Sequence, residues 1–76
     1  MSEESNELTP VDSTVVAGVA YDEANATLTL QLRDGSTYKY FDVPRLTYLA
    51  FMKEPSKGKA ANRLFLRGVF RFEQLR

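Results

Sequence analysis

Between Thr27 and Arg33 the chain reads TLTLQLR, with Leu28, Leu30 and Leu32 at every second position and polar residues between them. A period of two predicts a half-buried strand. Upstream, Ser13 to Tyr21 (STVVAGVAY) is β-branched and apolar. It predicts a strand with Val15, Ala17, Val19 and Tyr21 on one alternating face. Asp22 to Asn25 supplies the turn between the two. Asp34-Gly35 is a hairpin signal, and Thr37 to Val43 follows as a third strand of an antiparallel meander. Pro44 ends the sheet and suits the first position of a helix. Arg45 to Glu54 then sets Leu46, Leu49, Ala50 and Lys53 at helical spacing, flanked by Tyr48 and Met52, until Pro55 stops it. Ser56 is an N-cap for a second short helix, Lys57 to Leu66, ended by Gly68; Gly58 weakens its first turn. Val69 to Leu75 alternates again, Phe70 and Phe72 against Arg71 and Glu73, and adds a C-terminal strand. The expected class is α+β: a three-stranded antiparallel meander, one or two helices packed on one face, and a C-terminal strand.

The loop at Asp34-Gly35 decides where Tyr38 and Tyr40 point. A two-residue type I′ loop would pair Arg33 with Ser36 and set Leu30 opposite Lys39. The tyrosines would then share the outer face with Thr29 and Gln31, open to stack on a flat ligand. A three-residue turn, Arg33-Asp34-Gly35, closed by a glycine bulge would set Leu30 opposite Tyr38 and Leu28 opposite Tyr40. One residue of slip exchanges the faces. The first register drives Lys39 toward the core, which is costly in a small domain unless the side chain snorkels. The second is favoured, and it joins both rings to the leucine stripe.

Residues 1–12 are acidic, contain Pro10 and lack aromatics, which reads as a disordered acidic tail. Residues 13–76 then form one domain. The chain has 76 residues, enough for a small core, with no cysteine and no histidine. That excludes disulfides, thiolate metal sites and nucleophile pairs built on histidine, so no metal or cofactor is expected. No apolar run is long enough for a membrane span, and the acidic N-terminus is unlike a signal peptide. A cytoplasmic setting is expected. Asp12, Asp22, Glu23, Asp34 and Asp42 fall mostly in turns or strand ends, where Asp is an ordinary turn former. No pair is spaced for acid–base work, so no enzyme is expected.

Net charge is zero but unevenly placed. Residues 1–44 hold eight acids against Arg33 and Lys39; residues 45–76 hold eight bases against Glu54 and Glu73. Such asymmetry marks either a nucleic-acid surface or simple balance between two halves. Within the basic half, Ser56 to Asn62 (SKGKAAN) sets a glycine between two lysines at a helix start. Amide N–H groups beside two ammonium ions suit an anion; the other reading is a solvated turn with a capping serine. Arg63, Arg67 and Arg71 fall four apart, a basic ridge if helix continues through them, although Gly68 interrupts. Asn62 either caps or kinks the segment or bonds a ligand.

Taken in order, V-D-S-T at Val11 to Thr14, A-Y-D at Ala20 to Asp22, L-x-L-x-L from Leu28, G-x-x-Y-x-Y from Gly35, V-P at Val43-Pro44 and S-x-G-x-x-x-N from Ser56 resemble the KTSC domain. The resemblance covers about Ser13 to Leu75, and Tyr38-Lys39-Tyr40 matches that family's central Y-x-Y. It implies a domain of about this length, found as a stand-alone bacterial protein and at the C-terminus of some lysyl-tRNA synthetases. The family is of uncharacterised role, and RNA binding has been suggested for it. The chain departs from the pattern where an aromatic commonly precedes the asparagine and Ile-Arg follows. Here Ala61 precedes Asn62, and Leu64-Phe65-Leu66 precede Arg67; if the family's basic residue contacts a ligand, the departure implies that this chain has moved or lost that contact. The expectation is a non-enzymatic binding domain with RNA as ligand. Its candidate contacts are Tyr38, Tyr40, Lys57, Lys59, Asn62, Arg63 and Arg67. The alternative is a protein-interaction or self-associating module, a heteropartner or a homodimer.

Overall fold

The computed structural model describes residues 8–11, 13–66, 68 and 70–76. Its strands are β1 (Thr9–Pro10), β2 (Val16–Asp22), β3 (Thr27–Leu32), β4 (Thr37–Tyr40) and β5 (Phe72–Gln74). Between β4 and β5 lie α1 (Arg45–Lys53) and α2 (Lys57–Ala61), the latter running on as a π-helical segment, Asn62–Leu66. The strands form one antiparallel sheet in the order β1-β2-β3-β4-β5. The α+β class holds, but the sheet has five strands where four are expected. The extra one is β1, two residues within the stretch read as an acidic tail. Thr9 pairs with Val19 and Pro10 with Gly18. So short a strand with a proline at the sheet edge carries no alternation to read.

Gly35 sets the central hairpin. Its φ is +97°, a backbone region where glycine meets no Cβ penalty. Leu32 N donates to Ser36 O at 2.8 Å and Gly35 N to Leu32 O at 3.0 Å, the three-residue turn with its bulge. Asp34 braces it, accepting from Ser36 N at 2.9 Å; that bond holds its carboxyl below the usual value. Leu30 therefore lies opposite Tyr38 and Leu28 opposite Tyr40. Both tyrosines join the leucine face, and Lys39 goes outward.

β2 breaks the expected alternation. Val16 pairs with Leu32 but Gly18 with Gln31, so one extra residue is inserted at Ala17. A bulge reverses the facing of everything before it. Val19 and Tyr21 face the core as expected, yet Val16 joins them in place of Val15, which is 41% exposed.

The core lies between the sheet and the helices. Val16, Val19, Leu28, Leu30 and Tyr40 meet Val43, Phe51, Ala60, Ala61 and Phe65, all buried. Phe65 is the hub: its ring lies 5.0 Å from Tyr40, 5.5 Å from Phe51 and 5.8 Å from Phe70. In α1 the buried side is Tyr48, Phe51 and Met52, and Leu46 is 78% exposed, opposite to the expected Leu46, Leu49 and Ala50 stripe. Two stripes share helical spacing here, and the one with two rings removes more apolar area from water. Pro44 stands at the N-cap, not inside the helix. Tyr21 docks α1: its hydroxyl donates to Val43 O at 2.7 Å, and its ring stacks on Tyr48 at 4.7 Å.

Burial pushes the Tyr40 hydroxyl from an ordinary 10.0 up to about 12, helped by neighbouring Tyr38. The folded chain thus keeps this proton at pH values where the unfolded chain has lost it. Its contribution to stability is complete below pH 10 and is lost as pH climbs toward about 12. Burial also raises Tyr21, so the comparison must be internal. Urea midpoints followed across that window should fall more steeply for the native chain than for Tyr40→Phe; identical slopes would refute the assignment.

Candidate nucleic-acid interface

The basic segment begins where α1 fails. Pro55 cannot extend the helix, and Glu54 N closes it on Phe51 O at 3.2 Å. The last carbonyls of a helix lack partners and carry its negative end. Lys57 answers this: its Nζ donates to the Glu54 carbonyl. Ser56 is the N-cap of α2, as its residue type predicts, its Oγ accepting from Lys59 N at 3.3 Å. Ala60 N is taken by Ser56 O at 3.0 Å. Two amides of this turn are therefore used internally, which narrows the expected anion cradle.

Gly58 has a packing reason. A Cβ there would stand 3.1 Å from Val15 Cγ2 and 3.3 Å from Val15 Cβ. The missing side chain lets α2 approach the start of β2 closely. Beside that contact lies an open cleft of about 440 Å³, walled by Ser13, Thr14 and Val15 on one side and Pro55, Ser56, Lys57, Gly58, Lys59 and Asn62 on the other. A second hollow of about 370 Å³ shares Thr14 and Val15 and reaches Leu32, Arg33 and Asp34. Arg33 is tied down as a clamp on the chain before β2, its Nε to Ser13 O at 2.9 Å and Nη2 to Val11 O at 3.1 Å.

The structure thus brings Lys57, Lys59 and Asn62 to one cleft. Asn62 sits exposed at the junction where α2 widens into the π-helical segment, its backbone N–H shared between Gly58 O and Lys59 O. Arg63 is drawn aside: its Nη2 meets Glu54 Oε2 at 3.0 Å. Arg67 lies outside the described residues, and with it the proposed basic ridge. Arg71 immediately precedes β5, 3.7 Å from Asp42 and 4.9 Å from the Phe41 ring centre.

The tyrosines do not join this group. Tyr40 is 1% exposed, so it has no face for a base; the bulged register seals it under Phe65 and Phe72. Tyr38 is half-buried, with Phe72 edge-on at 5.8 Å. Ser13, Thr14 and Val15 were missed as cleft residues because their β-branched, apolar run reads as strand. Glu54 was missed as the acid among the cations because it reads as an ordinary helix end. Early acids also reach late bases elsewhere, Glu23 standing 3.7 Å from Arg45. Among the described residues no helix is long and apolar enough to cross a membrane.

Comparison with known proteins adds lineage to this geometry. The model of the KTSC domain matches residues 12–68. The chain is 38% identical over 64 residues to a lysine–tRNA ligase of Nostoc punctiforme, covering 84% of this chain and 11% of the ligase. It is 34% identical over the same length to a lysine–tRNA ligase of a Nostoc species, again 11% of the relative. The chain therefore spans only about a tenth of these curated relatives. A KTSC domain protein of Yersinia pestis, seen by crystallography, superposes with a TM-score of 0.85 at 31% identity, over 92% of this chain and 97% of that one.

The glycine contact can be tested by stability. Alanine at an ordinary helix position gains about 0.5–1 kcal/mol over glycine. Gly58→Ala should gain nothing, because the added methyl meets Val15, and Gly58→Ala with Val15→Ala should recover part of that gain, the Cβ at position 15 still standing 3.3 Å away. Urea unfolding of the four proteins of the cycle measures it; a single substitution that stabilises by the full amount would remove the contact.

Proposed function

The chain belongs to the KTSC domain family, and we propose that it acts as a small non-enzymatic binding domain whose ligand is the phosphate backbone of RNA, held at the cleft of Lys57, Lys59 and Asn62. The observation that carries this is the convergence of two lysines on one open cleft. Neither makes an ion pair with a carboxylate among the described residues. Glu54 offsets one charge of Lys57, Lys59 and Arg63 together, and the group stays cationic. Relatives named lysine–tRNA ligases carry similar sequence in a tenth of their length, which supports an RNA ligand over other polyanions. Phosphate contacts position a nucleic acid without reading its sequence. With Tyr40 sealed, the domain has little platform for bases, so it discriminates weakly among sequences. The hydroxyls of Ser13 and Thr14 across the cleft supply neutral bonds that salt does not screen.

Titration of single-stranded and structured RNA at several salt concentrations tests the proposal. Affinity should fall linearly with salt on logarithmic axes. Each phosphate contact contributes a slope of about 0.7 for a single strand, so Lys57→Ala with Lys59→Ala should flatten it by about 1.4. Glu54→Gln should act in the opposite sense, freeing Arg63 and raising affinity at low salt. Absence of binding at low salt, where the attraction is strongest, would overturn the proposal.

A further inference from the structure

β5 is an outer strand of the sheet, and its residues are exposed. The ladder to β4 fixes which of its backbone groups are used. Phe41 N donates to Arg71 O at 2.9 Å, and Leu75 N to Thr37 O at 2.7 Å. Antiparallel pairs alternate between bonded and non-bonded, so Arg71, Glu73 and Leu75 face β4. The N–H and C=O groups of Phe72 and Gln74 point away from the sheet. Such an edge is a template for another strand.

We propose that this edge is occupied by β5 of a second copy of the chain, antiparallel about a two-fold axis at Phe72, joining the two sheets into one. Three two-fold registers use the outward groups. Phe72 opposite Gln74 places Glu73 against Glu73, which repels. Gln74 opposite Gln74 places Glu73 against Leu75. Phe72 opposite Phe72 places Arg71 against Glu73 twice, once on each side of the axis. Only the last register is complementary in charge. It also covers Phe72, a large apolar side chain left 49% exposed, with its own counterpart. A C2 contact of this kind is self-complementary and closes without leaving a free edge there. The existing partner of Arg71, Asp42 at 3.7 Å, is itself 84% exposed; an ion pair in water at that distance contributes little and is readily exchanged.

Sedimentation of the full chain from micromolar to millimolar concentration tests the pairing, with two charge reversals made separately. The native chain should pass from monomer to dimer. Arg71→Glu alone presents Glu against Glu, and Glu73→Arg alone presents Arg against Arg, so each should weaken self-association about tenfold. An equimolar mixture of the two variants restores both opposite-charge contacts and should form a heterodimer at the native concentration. Circular dichroism of each variant establishes that it is folded, and the mixture succeeds only with folded chains. A native chain that stays monomeric at millimolar concentration, leaving the edge to an extended peptide of another protein, would overturn the proposal. So would a dimer indifferent to both reversals, or variants that fail to combine.

Discussion

One backbone dihedral, the positive φ of Gly35, governs the remainder of the molecule. It permits the three-residue turn that slides β4 by one position against β3. With that slide, Tyr40 lies in the row Tyr21, Leu28, Tyr40, Phe72 across four strands, and Tyr38 in the row Val19, Leu30, Tyr38, Gln74. The helices then find an aromatic floor. Phe65 packs on Tyr40, Phe51 packs on Phe65, and α2 is carried against Val15. The cleft exists because that helix is held where it is.

The electrostatics follow from the same docking. Acids dominate the first half of the chain and bases the second, but folding interleaves them: Glu23 with Arg45 and Asp42 with Arg71. Glu54 meets two cations at once, Lys57 through its carbonyl and Arg63 through its carboxylate. Asymmetry along a sequence does not carry over to a surface, because antiparallel pairing and helix return bring distant segments together. Among the described residues of the basic half, Lys57 and Lys59 share one cleft.

The class, the order of meander, helices and final strand, the helix cap at Ser56 and the hairpin register were legible in the sequence. The register was legible because the two alternatives differ by burial of a charge, Lys39, and that cost is large. The facing of β2 was not, because the one marker beside the bulge at Ala17, Gly18, does not say on which side of it the extra residue lies. The inner face of α1 was not, because two apolar stripes share one spacing, and the rings that favour the aromatic one, Tyr21 and Phe65, are distant in sequence. For the site, Lys57, Lys59 and Asn62 were legible as a group from composition alone. Their opposite wall at Ser13 to Val15 is far away in sequence, and nothing local signals that approach. Gly58 reads as a weak point in a helix, and its packing role emerges only in three dimensions.

The final strand completes a ladder between segments more than thirty residues apart, Tyr40 with Phe72, whereas β2–β3 and β3–β4 are closed by short turns. Joining distant segments restricts a long loop before any contact rewards it, so local hairpins form first. β5 is therefore a late piece to lock in assembly, and its three exposed residues are a portion released at little expense when the native state opens partially. The same short strand lies over the Tyr38 ring, so each such opening transiently uncovers an aromatic face that the closed domain keeps half hidden.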